Sequence, residues 1–147
     1  MDGGGMTTGK RVVITKAGGV SAITTQPMER PAPKEGEVCI KVAYAGINFA
    51  DLLMRMGFYR PRPPFPFTPG YEVSGVIDAL GEGVTGLEVG TKVVAAMKNG
   101  GQASFVVAPT DRVIPLPEGI SLKSAASTPV TYICLLYTSD AADEFSC

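Results

Sequence analysis

The chain contains no histidine and no tryptophan. Without an imidazole, Ser-His and Cys-His dyads, histidine general bases and every zinc site that needs a His ligand are excluded. Cysteine is scarce. Cys39, Cys134 and Cys147 are odd in number and lack C-x-x-C spacing, so neither a disulfide framework nor a four-thiolate zinc site can be assembled. A reducing, cytoplasmic compartment fits that usage. Neither sign of charge is in excess: 13 Lys and Arg stand against 14 Asp and Glu, a net charge of −1 that gives no electrostatic reason to expect nucleic acid or an anionic membrane as partner. No run approaches the ~18 apolar residues of a membrane helix. The N-terminus shows neither a basic-then-apolar signal pattern nor a myristoylation start. Membrane association, if any, is therefore expected to be peripheral.

Glycine and proline are abundant, 18 and 12 of 147 residues, against roughly 12% for the two together in ordinary chains. This composition favours short strands and many turns. With 45% hydrophobic and 18% charged residues the chain is too apolar for a disordered segment, and its length suits one compact, mainly β domain with short helices. Arg11 to Lys16 and Val20 to Thr25 flank Ala17-Gly18-Gly19 and read as a hairpin. From Glu37 to Tyr44, Val38, Ile40, Val42 and Tyr44 alternate with Cys39, Lys41 and Ala43, the period of a strand with unequal faces. Further strands are expected at Glu72 to Leu80, Lys92 to Met97, Ala103 to Ala108 and Arg112 to Leu116. A second helix is expected from Ser121, with Leu122, Ala125 and Ala126 inward.

Between these strands the pattern changes. Phe49, Leu52, Leu53 and Met56 fall at i, i+3, i+4 and i+7, with Gly57 where a C′ residue belongs, which predicts a short helix. Asn48 and Asp51 then occupy its N-cap and N3 positions, a structural role that would alone account for both. Tyr59, beside a proline-rich stretch, could donate a proton or a hydrogen bond to a carbonyl, or simply pack. The stretch from Phe58 to Pro69 has too many prolines for helix or central strand and should cross the surface as an extended loop. Its Pro61-Arg62-Pro63-Pro64 has P-x-x-P spacing, although its place between structured elements argues against a free polyproline ligand. Glu72 is either an exposed strand-edge acid or a buried, hydrogen-bonded one; residue type does not decide. Gly81-Glu82-Gly83-Val84-Thr85-Gly86 satisfies G-x-G-x-x-G, but a turn into a strand comes next instead of a helix, and no acid lies between Glu88 and Asp111. The spacing therefore reads as a Gly-rich strand connection.

Several linked motifs, Ala45-Gly46-Ile47-Asn48-Phe49-Ala50-Asp51-Leu52, Gly57-Phe58-Tyr59, Thr68-Pro69-Gly70-Tyr71-Glu72-Val73-Ser74-Gly75-Val76 and Leu80-Gly81-Glu82-Gly83-Val84, resemble the medium-chain dehydrogenase/reductase superfamily. The branch they look most like is the zinc-free quinone oxidoreductases, especially the vesicle amine transport protein group. The resemblance implies a GroES-like β-barrel over residues 10–133, after a flexible leader at 1–9 and ahead of an NADPH-binding Rossmann domain. It implies hydride transfer from NADPH to a quinone or an α,β-unsaturated carbonyl, with Asn48 and Asp51 lining the nicotinamide and substrate side and Tyr59 supporting or protonating the carbonyl. Where zinc-dependent relatives supply Cys and His ligands, this chain has Asn48 and Tyr71, so no metal is implied. By itself the fragment is expected to be inactive. The rival reading is a non-enzymatic binding protein on vesicle or mitochondrial membranes with a vestigial reductase site; a homodimeric parent is compatible with both. Residues 134–144 resemble the translation of a transposase-type sequencing adapter, which sets 134–147 apart as a non-native tail.

Overall fold

The computed structural model describes residues 8–132. The leader up to residue 7, the 134–147 tail, Cys134 and Cys147 lie outside them. Two antiparallel strands, β1 (Thr8–Ile14) and β2 (Ile23–Glu29), form a ribbon, with a 3-10 turn at Val20–Ala22 between them. The five-stranded sheet contains β3 (Glu37–Ala45), β4 (Glu72–Leu80), β5 (Lys92–Ala96), β6 (Phe105–Pro109) and β7 (Val113–Pro115), in the order β6-β3-β4-β5-β7. Every neighbouring pair is antiparallel. This curled half-barrel is the mainly β, GroES-like architecture expected from the motifs. The helices bounded within the described residues are α1 (Phe49–Met56) and α2 (Leu122–Ala125).

Inward-facing β-branched residues close the sheet: Val38, Ile40, Val73, Ile77, Val93 and Val106 form its buried centre. Each such side chain is worth about 1.5–3 kcal/mol when removed from water. The period-two pattern of β3 survives only in part. Cys39 is as completely buried as its neighbours Val38 and Ile40, and Tyr44 is exposed. The register against β4 slips between Val42 and Tyr44, and such a bulge turns the following side chain to the other face. Burial is the main cause that pushes the Cys39 thiol above its usual range, which keeps it a small hydrophobe instead of a nucleophile.

The proline-rich segment does not simply cross the surface. Phe67 is buried with Ile14 and Met54 in a second cluster, against which Tyr59, Phe65 and Tyr71 pack. Reciprocal backbone bonds tie Ile14 to Phe67, at 2.8 Å from the Ile14 N–H and 3.1 Å from the Phe67 N–H. The loop thereby fastens the β1–β2 ribbon to the region around α1. Gly81, the first glycine of the G-x-G-x-x-G run, lies so close to the Lys34 carbonyl that a Cβ would collide with it. Its N–H bonds the Glu37 carbonyl at 2.8 Å. No helix intervenes between β4 and β5, so this loop is a tight strand connection and not a phosphate cradle.

Candidate functional site

Helix α1 begins where the sequence places it, because Asn48 and Asp51 form a capping box. The Asp51 carboxylate accepts the Asn48 N–H at 2.9 Å, and its other oxygen accepts the Gly70 N–H at 3.0 Å. One acid thus starts the helix and ties it to the segment before β4. Gly57, in the left-handed region at φ 87°, ends the helix with its N–H on the Leu53 and Met54 carbonyls.

The helix is oriented opposite to the usual rule. Its apolar stripe faces outward: Phe49 is 73% exposed, and Leu52 and Met56 are exposed as well. Its buried face carries Asp51, at 5%, and Met54, at 1%. An acid in that position has lost its water. Burial pushes the Asp51 carboxyl above its usual 3.8, with the nearby Glu72 charge adding to the effect and the Asn48 and Gly70 N–H groups opposing it.

Linkage fixes the sign of a pH dependence. The folded chain holds the Asp51 proton in the window above 3.8 where the unfolded chain has released it, so Asp51 favours folding most below that value and progressively less as pH rises through its folded pKa. Asp51→Asn removes this titration and turns an amide NH2 toward one of two backbone donors, an expected loss of about 1–3 kcal/mol. The stability gap between wild type and variant should be widest near pH 4 and narrow toward pH 7 in urea unfolding. A gap that widened with pH would contradict the assigned sign.

Glu72 is the residue that sequence reasoning leaves undecided, and the structure resolves it: 2% exposed, at the start of β4. One carboxylate oxygen accepts the Asn48 side-chain amide at 2.9 Å, and the other accepts the Val130 N–H at 2.9 Å. Gly46 lets this happen. A Cβ there would strike the Glu72 side chain and the Ala126 carbonyl oxygen. Ser74, fully buried two residues along β4, donates its hydroxyl to the Leu122 carbonyl at 2.6 Å and fastens α2 to the sheet. Asn48 is therefore held by its cap role on one side and by Glu72 on the other.

Asn48 and Asp51 come together as the sequence implies; Tyr59 stands apart. Asp51, Leu52 and Ile47 line a cleft of about 370 Å³ with Val20 and Ile23 from the ribbon. Tyr59 lines a second cleft, of about 550 Å³, with Met54 and Tyr71. Burial, the neighbouring Tyr59 and the Asp51 charge all push the Tyr71 phenol up. It remains a hydrogen-bond donor at neutral pH, directed at the Met54 sulfur at 3.5 Å. Sequence reasoning marks Tyr71 only as standing where zinc-dependent relatives supply a His ligand, and does not single it out as a site residue.

A model of the alcohol dehydrogenase GroES-like domain matches residues 34–118. The Danio rerio synaptic vesicle membrane protein VAT-1 homolog is 42% identical over 125 residues, 84% of this chain and 26% of that protein. The Sus scrofa quinone oxidoreductase is 33% identical over 133 residues, 86% of this chain and 40% of that protein. Among solved structures, the human VAT-1 homolog-like protein superposes with a TM-score of 0.87 at 32% identity, covering 91% of this chain and 42% of that one. The quinone oxidoreductase of Thermus thermophilus, solved also with NADPH, gives a TM-score of 0.78 at 35% identity over 91% of this chain and 41% of that one. The chain thus spans between 26% and 40% of the length of these curated relatives.

Proposed function

Because the chain belongs to the alcohol dehydrogenase GroES-like domain family, on the quinone oxidoreductase branch of the medium-chain dehydrogenases/reductases, we propose that it is the substrate-side portion of an NADPH-dependent, zinc-independent reductase of quinones or α,β-unsaturated carbonyls. The observation that carries this reading is the fixed Asn48. Its amide is held at 2.9 Å by a buried carboxylate, at the rim of an apolar face that includes the exposed Ile47 and Phe49. A polar group locked beside an apolar surface is what orients a planar ring of mixed polarity.

The described residues fit the ring end of the cofactor and not its phosphates, since the space a phosphate cradle would need at Gly81 is taken by the Lys34 carbonyl. Bound NADPH would supply the hydride. Ile47, Phe49 and Leu52 exclude water from that side, Asn48 fixes the ring's orientation, and Asp51 holds Asn48 and the helix start in place. Tyr59, from the separate cleft it lines with Met54 and Tyr71, would supply the proton or hydrogen bond to an acceptor carbonyl placed there. Relatives solved with NADPH support the cofactor.

The test requires a longer protein that extends over the relatives' full length. It should oxidise NADPH only when 1,4-naphthoquinone or an enone such as 1-octen-3-one is added, and the 147-residue chain should not. A longer protein that binds vesicles yet oxidises NADPH with neither acceptor would replace this reading by the non-enzymatic one, which the vesicle-protein names of several relatives favour.

A further inference from the structure

The Tyr59 cleft has a charge pattern that the reaction itself does not require. Its volume is about 550 Å³ and its lining combines Met54 and Met97 with Tyr59 and Tyr71 and with the two cations Arg62 and Lys98. The Arg62 guanidinium lies over the Phe65 ring, 4.3 Å from its centre, which fixes the plane of the fork. Its Nε is buried and has no hydrogen-bond partner, and Nη1 donates only to the adjacent Pro63 carbonyl at 3.3 Å. Among the described residues the ion pair is Arg30 with Asp78; neither Arg62 nor Lys98 has a carboxylate partner. Arg62 thus lines the cleft as a cation held in place by Phe65 and without a carboxylate partner among the described residues.

We propose that this cleft takes an acceptor whose planar ring carries an anionic substituent, a carboxylate or a sulfonate, with Arg62 and Lys98 supplying the counter-charge. The inference rests on the reductase reading and narrows its substrate class. Methionine and tyrosine walls suit a flat ring, which argues against a bare inorganic anion as the ligand. Arg62 meets an oxyanion as a two-pronged donor, and the exposed Lys98 adds a point charge. The same cations give a neutral quinone nothing, so the selection is for charge and not for ring size.

The 147-residue chain can be tested directly by ligand-observed NMR titration with anthraquinone-2-sulfonate, its neutral analogue 2-(hydroxymethyl)anthraquinone, and sodium sulfate alone. The sulfonate is expected to bind about tenfold or more tightly than the neutral ring, and to weaken with added salt. Arg62→Gln and Lys98→Gln should each lower its affinity by about fivefold or more and leave the neutral ring unchanged. Lys98 is exposed on a loop, so its variant keeps the test open should Arg62→Gln fail to fold. Equal affinity for the two rings, sulfonate affinity unmoved in a folded variant, no binding at all, or sulfate binding as tightly as the sulfonate would each overturn the proposal. No nicotinamide takes part in the titration. Its failure leaves the reductase reading standing, and an inactive longer protein whose cleft still selects the sulfonate refutes the reductase reading alone.

Discussion

Tyr59→Phe, made in a longer protein that reduces a quinone or an enone, should lower turnover by about 10- to 1000-fold while leaving its melting temperature nearly unchanged. The Tyr59 ring packs against the cluster of Ile14, Met54 and Phe67, and phenylalanine keeps that packing. Only the hydroxyl is lost. If it delivers the proton or polarises the carbonyl, the deficit is in kcat, with KM for the acceptor little changed, because a group acting mainly in the transition state leaves ground-state binding intact. Tyr71, whose phenol is pushed up by burial and by Tyr59 and Asp51, is the nearby hydroxyl that could substitute in part. The double variant should therefore fall below either single one. Full turnover in Tyr59→Phe would remove Tyr59 from the chemistry and leave it as packing.

Glu72→Ala should be the most damaging single change to stability, a loss of about 3–5 kcal/mol in urea unfolding of the 147-residue chain. The carboxylate is buried and accepts from two donors that come from distant parts of the chain, the Asn48 amide and the Val130 N–H. Truncation leaves both donors unpaired, at about 1–3 kcal/mol each, and opens a cavity beneath Gly46. Glu72→Gln keeps the volume and one acceptor but faces an amide NH2 toward the remaining donor, so it should lie between wild type and alanine. A loss under about 1 kcal/mol in the alanine variant would show that the two bonds contribute little. Such a result would also undo the argument that Glu72 fixes Asn48.

Elements whose signals are local are legible in the sequence. The run from Glu72 to Leu80 predicts a strand, and β4 has those bounds. Helix α1 starts after Asn48 and stops at Gly57 as expected, because capping and the left-handed C′ glycine are decided within a few residues. The strand reading of the G-x-G-x-x-G run holds for the same reason, since a turn and a strand come directly after it in the chain. Strand edges that depend on a distant partner differ from the pattern. The strand expected at Ala103 to Ala108 begins at Phe105, where pairing with Lys41 of β3 starts. The strand expected from Arg112 begins at Val113, after a 3-10 turn.

The candidate site divides along the same line. Sequence alone determined that Asn48 and Asp51 share a helix start, that no histidine is available for catalysis or metal, and that the linked motifs resemble zinc-free reductases. Tertiary structure decided which face of α1 is buried. Periodicity states that the face of Phe49, Leu52 and Met56 is apolar, but Asp51 and Met54 are buried because Gly70, Phe67 and Tyr71 arrive on their side. It also decided that Glu72 is buried and bonded to Asn48, and that Arg62 stacks on Phe65 beside the Tyr59 cleft. The physical reason is range. A cap, a turn or a period is fixed by neighbours three or four residues away, whereas burial and the partner of a charged side chain are fixed by segments 24 and 58 residues distant that meet only when the sheet closes.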